Sequence, residues 1–349
     1  MQGAGEHIIT SEKRLSLAEL FANWREVIQG CNLSNDKHMD SVSKWLILTR
    51  GCVFSMTLTS GVIGGLLAAT AVQPNWFYFG LALIGILIAH AANNLINDYF
   101  DLAVGVDASE DYARAKYAPH PILSGLITRK QMLGAILLLN LVDAAIMAYL
   151  SLVRGWPVLA FALVGLFISV FYVAPPLRLK RIGLGELGVT LVWGPLMIGG
   201  TYYVTAGSVP SWVWLASLPY AFLVASVLIG KHIDKIAQDA PGGTHTLPVI
   251  LGEKTSLRLN QIVFVLFYVA VIALVVAGSL SVWLLVTLLS LPLLIETIKM
   301  YSKPKPAEPP ANYPVWPLWF VSIAFRFTRQ AGFLFILGLL LNLVVPIKL

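Results

Sequence analysis

The chain has 349 residues, of which 57% are hydrophobic and only 12% are charged. With a mean hydropathy of +0.77, a chain of 38.0 kDa has too little polar surface to fold as a water-soluble globule, so the composition predicts an integral membrane protein. Membrane topology and binding of anionic ligands explain the net charge of +6 better than binding of nucleic acid does.

The first 44 residues form a polar leader that contains an amphipathic segment at residues 15–24. Its apolar residues recur at helical spacing, so it could lie on the membrane surface as a helix, and a loosely ordered tail is the alternative. The leader lacks the short apolar core and small-residue cleavage site of a signal peptide. We therefore divide the chain into a leader, residues 1–44, and a polytopic membrane domain, residues 45–349.

Apolar runs long enough to cross a bilayer of about 30 Å as helices, roughly 17 to 25 residues each, follow the leader. These nine spans are residues 46–71, 75–97, 131–152, 156–174, 184–206, 211–231, 258–278, 280–298 and 331–347. They predict an all-α bundle of nine transmembrane helices.

The distribution of basic residues predicts the orientation of these spans, because loops rich in Lys and Arg stay in the cytoplasm. An N-terminus in the cytoplasm and a C-terminus outside place all 24 Lys and Arg residues except Arg154 and Lys348 on the cytoplasmic side. We therefore predict a protein of the inner (cytoplasmic) membrane. Cys31 and Cys52 then face a reducing compartment, so no structural disulfide is expected.

An unusual polar segment follows the second span, since five of the 18 acidic residues lie between Asp98 and Asp111. Positions i, i+4 and i+7 share one face of a helix. The polar stripe on this face comprises His90, Asn94, Asn97 or Asp98, and Asp101, and Asp107 continues it beyond a glycine. Mg²⁺ prefers such oxygen ligands and takes others from a bound phosphate. A solvated helix end would account for one aspartate but poorly for the whole cluster.

A second acidic pair, Asp234 and Asp239, follows the sixth span and precedes a Gly/Pro turn. Two acidic sites on one side of the membrane could hold two metal ions and clamp a diphosphate between them. The five-residue step corresponds to a rotation of about 140° on an ideal helix, so both carboxylates point the same way only if the helix ends between them. Lys231 and Lys235 could supply positive charge here.

Basic residues dominate the connection between the fourth and fifth spans, where Arg178, Lys180 and Arg181 occur together. Such residues neutralise the oxygens of an anionic ligand, although residues that only fix topology would look the same. Arg50, Arg114 and Lys116 have the same two interpretations. Asp143, with Asn140, falls in the middle of the third span, where an ionisable group has a functional role or is protonated and hydrogen-bonded.

Three parts of the chain resemble motifs of the UbiA-type intramembrane prenyltransferases, a family of nine-helix proteins with two Asp-rich cytoplasmic loops. Residues 97–101, Asn-Asp-Tyr-Phe-Asp, followed by Asp107, resemble the first acidic motif, with the longer step of the naphthoate branch. Residues 120–125 resemble the family's Arg-Pro-Leu-x-Ser-Gly turn. Residues 183–186 and 200–203 are similar to the fifth helix of 1,4-dihydroxy-2-naphthoate prenyltransferases. The resemblance covers residues 46–347.

The resemblance implies magnesium-dependent transfer of a polyprenyl group from a polyprenyl diphosphate to an aromatic quinone precursor, 1,4-dihydroxy-2-naphthoate in menaquinone biosynthesis. Alternative acceptors are homogentisate, 4-hydroxybenzoate or a futalosine-route naphthoate. A cation-coupled transporter is a remote alternative. Transporter sites tend to lie at the membrane midplane on interrupted helices, whereas most acidic residues here lie at two cytoplasmic helix ends. The sequence leaves the prenyl chain length and the oligomeric state open.

The residues and the resemblance together predict the members of the site. Catalytic roles are predicted for Asp98, Asp101, Lys180 and Tyr172. Substrate-binding roles are predicted for Arg50, His90, Asn94, Asn97, Arg114, Lys116, Arg178 and Lys231. Metal ligation is predicted for Asp98, Asp101, Asp107, Asp234 and Asp239.

Overall fold

The computed structural model describes residues 15–71, 73–103, 119–311, 313 and 315–347, and every regular element in these ranges is helical. The leader forms a helical hairpin of α1, Leu17–Gly30, and α2, Ser41–Leu48. The Asp40 carboxylate caps α2 by accepting from the backbone N–H groups of its first turn, and it also accepts from the Trp24 indole of α1 at 2.9 Å. The Asp40 carboxylate thus caps α2 and also links it to α1.

The remaining α-helices form a bundle. In chain order they are α3 Phe54–Ala68, α4 Trp76–Ala103, α5 Arg129–Arg154, α6 Pro157–Phe171, α7 Gly185–Leu191, α8 Gly200–Ala206, α9 Ser211–Ala216, α10 Leu218–Asp234, α11 Ile236–Asp239, α12 Leu247–Leu251, α13 Glu253–Val276, α14 Leu291–Tyr301 and α15 Phe320–Val344. Two 3₁₀ segments, Gly51–Val53 and Val282–Ser290, lead into α3 and α14, and a π-helix, Val192–Gly199, joins α7 to α8.

Eight helical segments in the described part of the chain are long and apolar enough to cross a membrane. The helix α6 corresponds to the remaining predicted span and is a shorter apolar helix of 15 residues. The structure therefore confirms a polytopic all-α membrane protein. The count of nine transmembrane helices and the direction in which they cross the membrane stay predictions.

The last helix begins earlier than predicted. The sequence predicts a span over residues 331–347, whereas α15 begins at Phe320. The extra turns were missed because Arg326 and Arg329 lower the local hydropathy. Both charges are accommodated on the helix, since Arg326 donates to Glu296 of α14 at 3.0 Å and Arg329 lies over the Phe325 ring.

The core is built mainly by α3, α10, α13, α15 and the 3₁₀ segment before α14, whereas α5 packs on α4 and has only Met132 and Leu150 fully buried. A buried polar link reinforces this core. The Asn260 side chain of α13 donates to Ser226 O of α10 and to the Tyr301 hydroxyl, which in turn donates to Phe320 O at 2.7 Å. Gly230 makes room for the link, because a Cβ there would lie 2.7 Å from the Tyr301 hydroxyl.

The expectation that Cys31 and Cys52 are not paired is wrong in this structure. The two residues form a disulfide with their Cα atoms 5.2 Å apart. They meet because the leader folds back over the start of α3, and Val27, Leu33 and Ile47 bury a small core of their own there. The sequence separation of 21 residues gave no indication of this contact.

Candidate active site

The charged end of the bundle, where α4 and α10 end and α5 and α7 begin, brings together Arg50, Asp98, Asp101, Lys180 and Lys231. Asp98 and Asp101 lie three residues apart near the end of α4, so they share one helix face. Asp98 is fully buried, and Asp101 is 6% exposed. Buried carboxylates require nearby positive charge, and basic side chains from other parts of the chain provide it.

Two basic side chains neutralise the acidic pair. Arg50, in the connection between α2 and the 3₁₀ turn at Gly51–Val53, forms an ion pair with Asp98. Lys180 donates to both carboxylate oxygens of Asp101, at 2.9 and 3.2 Å. Lys180 lies in the 3₁₀ turn Leu179–Ile182, where its backbone N–H is bonded to Tyr172 O at 3.0 Å. Two separate stretches of chain, around Arg50 and around Lys180, therefore converge on one face of α4.

Tyr172 follows α6 and lies among the carboxylates of this end. Tyr172 lines the central cavity, and its backbone carbonyl accepts from the Lys180 N–H at 3.0 Å. A protonated phenol is a hydrogen-bond donor. It can donate to an anionic ligand.

A central cavity of about 400 Å³ lies among α3, α4, α5, α6, α10 and the π-helix. Its lining is mainly apolar and extends to Leu150 and Val158, which lie at the opposite end of the bundle from the charged residues. The predicted site residues on its wall are Arg50, His90, Asn94, Asn97, Tyr172 and Lys231. Asn140 and Asp143 of α5 also face it. An elongated apolar ligand with a charged head matches this distribution.

The amides of the polar stripe occupy different positions around the cavity. Asn94 donates to Thr49 O at 2.8 Å, which ties α4 to the residue before Arg50. The Asn97 carbonyl oxygen is buried and has no hydrogen-bond partner among the described residues. His90 Nδ1 is 2.7 Å from the Thr57 hydroxyl of α3. Asn97 thus offers an oxygen to a ligand, whereas Asn94 fixes the local backbone.

Lys231 is the cavity-facing cation of α10. Within the described part of the chain its ammonium makes no hydrogen bond or ion pair, and it is half-buried. Arg178 lies in the connection before Lys180, in a left-handed backbone conformation with φ 48°, and is not among the residues that line the cavity. Of the two basic residues, Lys231 is the better placed for a ligand in the cavity.

Asp234 and Asp239, the second acidic pair, make different contacts. Both oxygens of Asp234 accept from backbone N–H groups at the start of α15, from Phe320 at 3.1 Å and from Val321 at 2.9 Å. Lys305 lies 3.5 Å from Asp234 as well. The predicted metal role of Asp234 is at odds with this geometry, because its lone pairs hold a helix end. Asp239 lies 3.6 Å from Lys235, and one of its buried oxygens has no described partner.

Glu186 and His232 form a pair that the sequence analysis does not predict. They lie 2.7 Å apart and link the start of α7 to α10 beside the acidic residues. The other oxygen of Glu186 and the other ring nitrogen of His232 are buried without a described partner. An acid and a histidine that are 46 positions apart carry no local pattern, so only the fold reveals the pair.

The described residues contain no cluster of three or more His, Cys, Asp or Glu side chains arranged to hold a metal ion. Asp107, Arg114 and Lys116, which the sequence assigns to this end of the protein, lie outside the described residues. The geometry of the site is thus known for Asp98, Asp101, Asp239 and their partners, and not for these three.

Comparison with known proteins places this arrangement in a family. The chain is 27% identical over 304 residues to the 1,4-dihydroxy-2-naphthoate octaprenyltransferase of Bacillus subtilis. The aligned region covers 84% of this chain and 91% of the relative. It is 25% identical over 260 residues to the 2-carboxy-1,4-naphthoquinone phytyltransferase of Synechocystis, covering 73% of this chain and 81% of that one.

A similar fold occurs in a UbiA homologue from Archaeoglobus fulgidus that was solved bound to GPP and Mg²⁺. The two superpose with a TM-score of 0.58 at 17% identity, over 84% of this chain and 99% of the homologue. At sequence level, the profile of the UbiA prenyltransferase family matches residues 58–323, which include α4, α10 and the charged ends of both. The chain therefore belongs to the UbiA prenyltransferase family.

Proposed function

We propose that this protein transfers a polyprenyl group from a polyprenyl diphosphate to an aromatic quinone precursor, and that the acceptor is 1,4-dihydroxy-2-naphthoate. The family makes the chain a prenyltransferase, and the substrates are the proposal. The observation that carries it is the mainly apolar cavity of about 400 Å³ that has Arg50, Asn97, Tyr172 and Lys231 on its wall at the charged end. A diphosphate with a lipid tail matches both parts.

Two relatives favour a naphthalene-derived acceptor. The Bacillus subtilis protein is named for 1,4-dihydroxy-2-naphthoate and the Synechocystis protein for 2-carboxy-1,4-naphthoquinone. The six-residue step from Asp101 to Asp107 points to the same branch. Prenylation of 1,4-dihydroxy-2-naphthoate would make this a menaquinone-pathway enzyme, and we place it in the bacterial inner membrane with its charged end in the cytoplasm. Family membership leaves the transporter alternative without support.

The donor set at the end of α4 is compatible with magnesium. Asp98 and Asp101 supply carboxylate oxygens on one helix face, and the buried amide oxygen of Asn97 has no partner among the described residues. These are hard oxygen ligands of the kind that Mg²⁺ selects. We propose that Asp98, Asp101 and Asn97 hold the ion together with diphosphate oxygens, and that Asp239 faces a second ion. When bound, magnesium would neutralise the charge that develops on the diphosphate.

The chain's own cations and phenol complete this environment. Lys231 has no carboxylate partner in the described structure, so its ammonium is available to diphosphate oxygens. Arg50 and Lys180 would exchange part of their contact with Asp98 and Asp101 for contact with the leaving group. Tyr172 donates its hydrogen bond to the same oxygens. All four stabilise negative charge as the carbon–oxygen bond breaks.

The apolar wall protects the allylic cation that remains after diphosphate departs. Side chains such as Met56, Ile86 and Val224 exclude water, which would otherwise trap the cation as an alcohol. The electron-rich ring of the acceptor then forms the new carbon–carbon bond. Aromaticity returns when the ring loses a proton, or its carboxyl group as carbon dioxide.

A direct assay tests the proposal. Purified protein in detergent or liposomes is incubated with radiolabelled geranylgeranyl diphosphate, MgCl₂ and one aromatic acceptor at a time: 1,4-dihydroxy-2-naphthoate, homogentisate or 4-hydroxybenzoate. We expect a prenylated product with the naphthoate that disappears when EDTA is added. Product formed only with another acceptor would reassign the acceptor, and no product with any of the three would overturn the proposed function.

A further inference from the structure

One wall of the cavity carries a polar group whose hydrogen bond is not made. The indole nitrogen of Trp193 is buried and has no partner among the described residues, although the side chain is only 8% exposed and lines the cavity. An indole N–H can only donate. Leaving a buried donor unsatisfied is unfavourable, so this position favours a ligand that brings an oxygen acceptor to the cavity wall.

The backbone around Trp193 is specialised. It lies in the π-helix Val192–Gly199, a rare form that is frequently found at functional sites. The Ser60 hydroxyl of α3 donates to Trp193 O at 2.7 Å and fixes this turn against the neighbouring helix. The indole is thus held by its backbone, whereas its N–H is not engaged.

Flat rings surround the same position. The His90 ring meets the Trp193 ring edge to face at 5.2 Å between centroids, and the Phe54 ring lies 5.3 Å from the His90 ring. Aromatic rings favour edge-to-face and offset contacts over face-to-face stacking. Asn93 and Ser169, which bond to each other at 2.8 Å, add neutral polar groups to the cavity wall. A planar ligand with oxygen substituents suits this combination better than an aliphatic tail does.

The depth of this position also fits an acceptor. His90 precedes Asn97 by seven residues on α4, which corresponds to about 10 Å along the helix, and it precedes Asn94 by about 6 Å. A ring next to His90 and Trp193 would therefore lie just below a diphosphate held at Asn97, Lys231 and Tyr172. That is where the first carbon of the prenyl group must meet its acceptor.

We propose that Trp193, together with His90, forms the binding seat of the aromatic acceptor and that the indole N–H donates to one of the oxygen substituents on the acceptor ring. This inference rests on the proposed function, since it names the subsite for the second substrate. Trp193 is a specificity residue in this proposal. It selects an oxygenated ring and leaves binding of the diphosphate unchanged.

The test uses Trp193→Phe, which keeps a ring and removes the N–H. We expect KM for 1,4-dihydroxy-2-naphthoate to rise about tenfold, the effect of losing about 1.4 kcal/mol of hydrogen bonding, while KM for geranylgeranyl diphosphate changes less than twofold. Trp76→Phe is the control, because Trp76 lies at the start of α4, is exposed and does not line the cavity. An unchanged KM for the acceptor in Trp193→Phe would overturn the seat.

A second measurement isolates the hydrogen bond. Naphthalene inhibitors with and without ring hydroxyl groups are compared on the wild-type protein and on Trp193→Phe. The hydroxyl groups should strengthen inhibition of the wild type about tenfold more than inhibition of the variant. Equal strengthening in both proteins would show that the indole N–H does not contact them.

A labelling experiment covers the case in which the variant fails to fold or turnover is absent. An aryl-azide derivative of 1-hydroxy-2-naphthoate is photolysed on the wild-type protein, and the labelled peptides are identified by mass spectrometry. Labelling of peptides that contain His90 or Trp193, suppressed by excess 1,4-dihydroxy-2-naphthoate, supports the seat. Labelling confined to α13 or α14 overturns it. Absence of product from every acceptor in the wild type, in contrast, is a failure of the proposed function.

Discussion

Asp98 and Asp101 are the residues in which burial and charge conflict most directly. Each is at least nine-tenths buried, and each is neutralised by a basic residue from another element, Arg50 or Lys180. Removing one partner of a buried ion pair costs about 3–5 kcal/mol, because the other charge stays behind. The two ion pairs therefore neutralise the carboxylates when no metal is bound. They also hold the carboxylates in position for a metal ion, which would bring its own positive charge.

Asp98→Asn and Asp101→Asn should each lower kcat at least about 100-fold, because each variant removes a carboxylate aimed at the leaving-group charge. Magnesium titration should show a weakened response in both. The matched control is Asp36→Asn, an exposed aspartate of the leader, which should retain full activity. Thermal melting in detergent shows whether each variant is folded. Full activity in folded Asp98→Asn would exclude Asp98 as a metal ligand.

Tyr172→Phe should lower kcat by about 10- to 100-fold, the cost of one hydrogen bond to a charged group. Tyr172 lines the cavity, and its carbonyl oxygen accepts from the Lys180 backbone N–H, so the variant removes a donor to the diphosphate and leaves the ring in place. Initial rates on folded wild type and variant measure the effect. Wild-type kcat in folded Tyr172→Phe would exclude the phenol from charge stabilisation.

At the scale of single elements, the second acidic pair shows how similar sequence patterns diverge. Asp234 ends α10 and receives two backbone N–H groups from α15, which makes it a cap for a helix 86 positions later. Asp239 lies in the separate short helix α11 and contributes to the electrostatic environment of Tyr172. The break at Lys235 between the two helices gives the carboxylates different surroundings.

Asp234→Asn and Asp239→Asn should consequently have opposite effects on stability and activity. The first should lose stability, because each hydrogen bond to a charged group contributes about 1.5–3 kcal/mol, and should keep most of its kcat. The second should keep its melting temperature and lose activity. Melting curves and initial rates on the same preparations separate the two effects. Loss of activity in Asp234→Asn without a change in melting temperature would return Asp234 to the metal site.

At the scale of the whole molecule, the parts that sequence predicted are those with local periodicity. Apolar length predicts the spans, and helical spacing predicts that Asp98 and Asp101 share a face. Contacts between distant segments were not predictable, which is why the ion pair of Arg50 with Asp98, the pair of Glu186 with His232 and the role of Asp234 emerge only from the fold. Trp193 was missed because a lone tryptophan in an apolar span carries no pattern.

The cavity itself gives the last prediction, which concerns the length of the prenyl donor. Gly165 of α6 lines the cavity, and a Cβ placed there would have no atom within 4 Å, so a larger side chain has open space to enter. Gly165 precedes Tyr172 by seven residues, about 10 Å along the helix. A phenyl ring at this depth would obstruct the stem of a long chain more than that of a short one.

Gly165→Phe should therefore lower kcat/KM for a long polyprenyl diphosphate at least about tenfold, a loss near 1.4 kcal/mol, while geranyl diphosphate is used nearly as well as before. Gly134→Phe in α5 is the matched control, because its Cβ also has open space and Gly134 does not line the cavity. Competition assays with both donors in one reaction measure the ratio directly. An unchanged donor ratio in Gly165→Phe would mean that the prenyl stem leaves the cavity before it reaches α6, and that long chains extend into the bilayer instead.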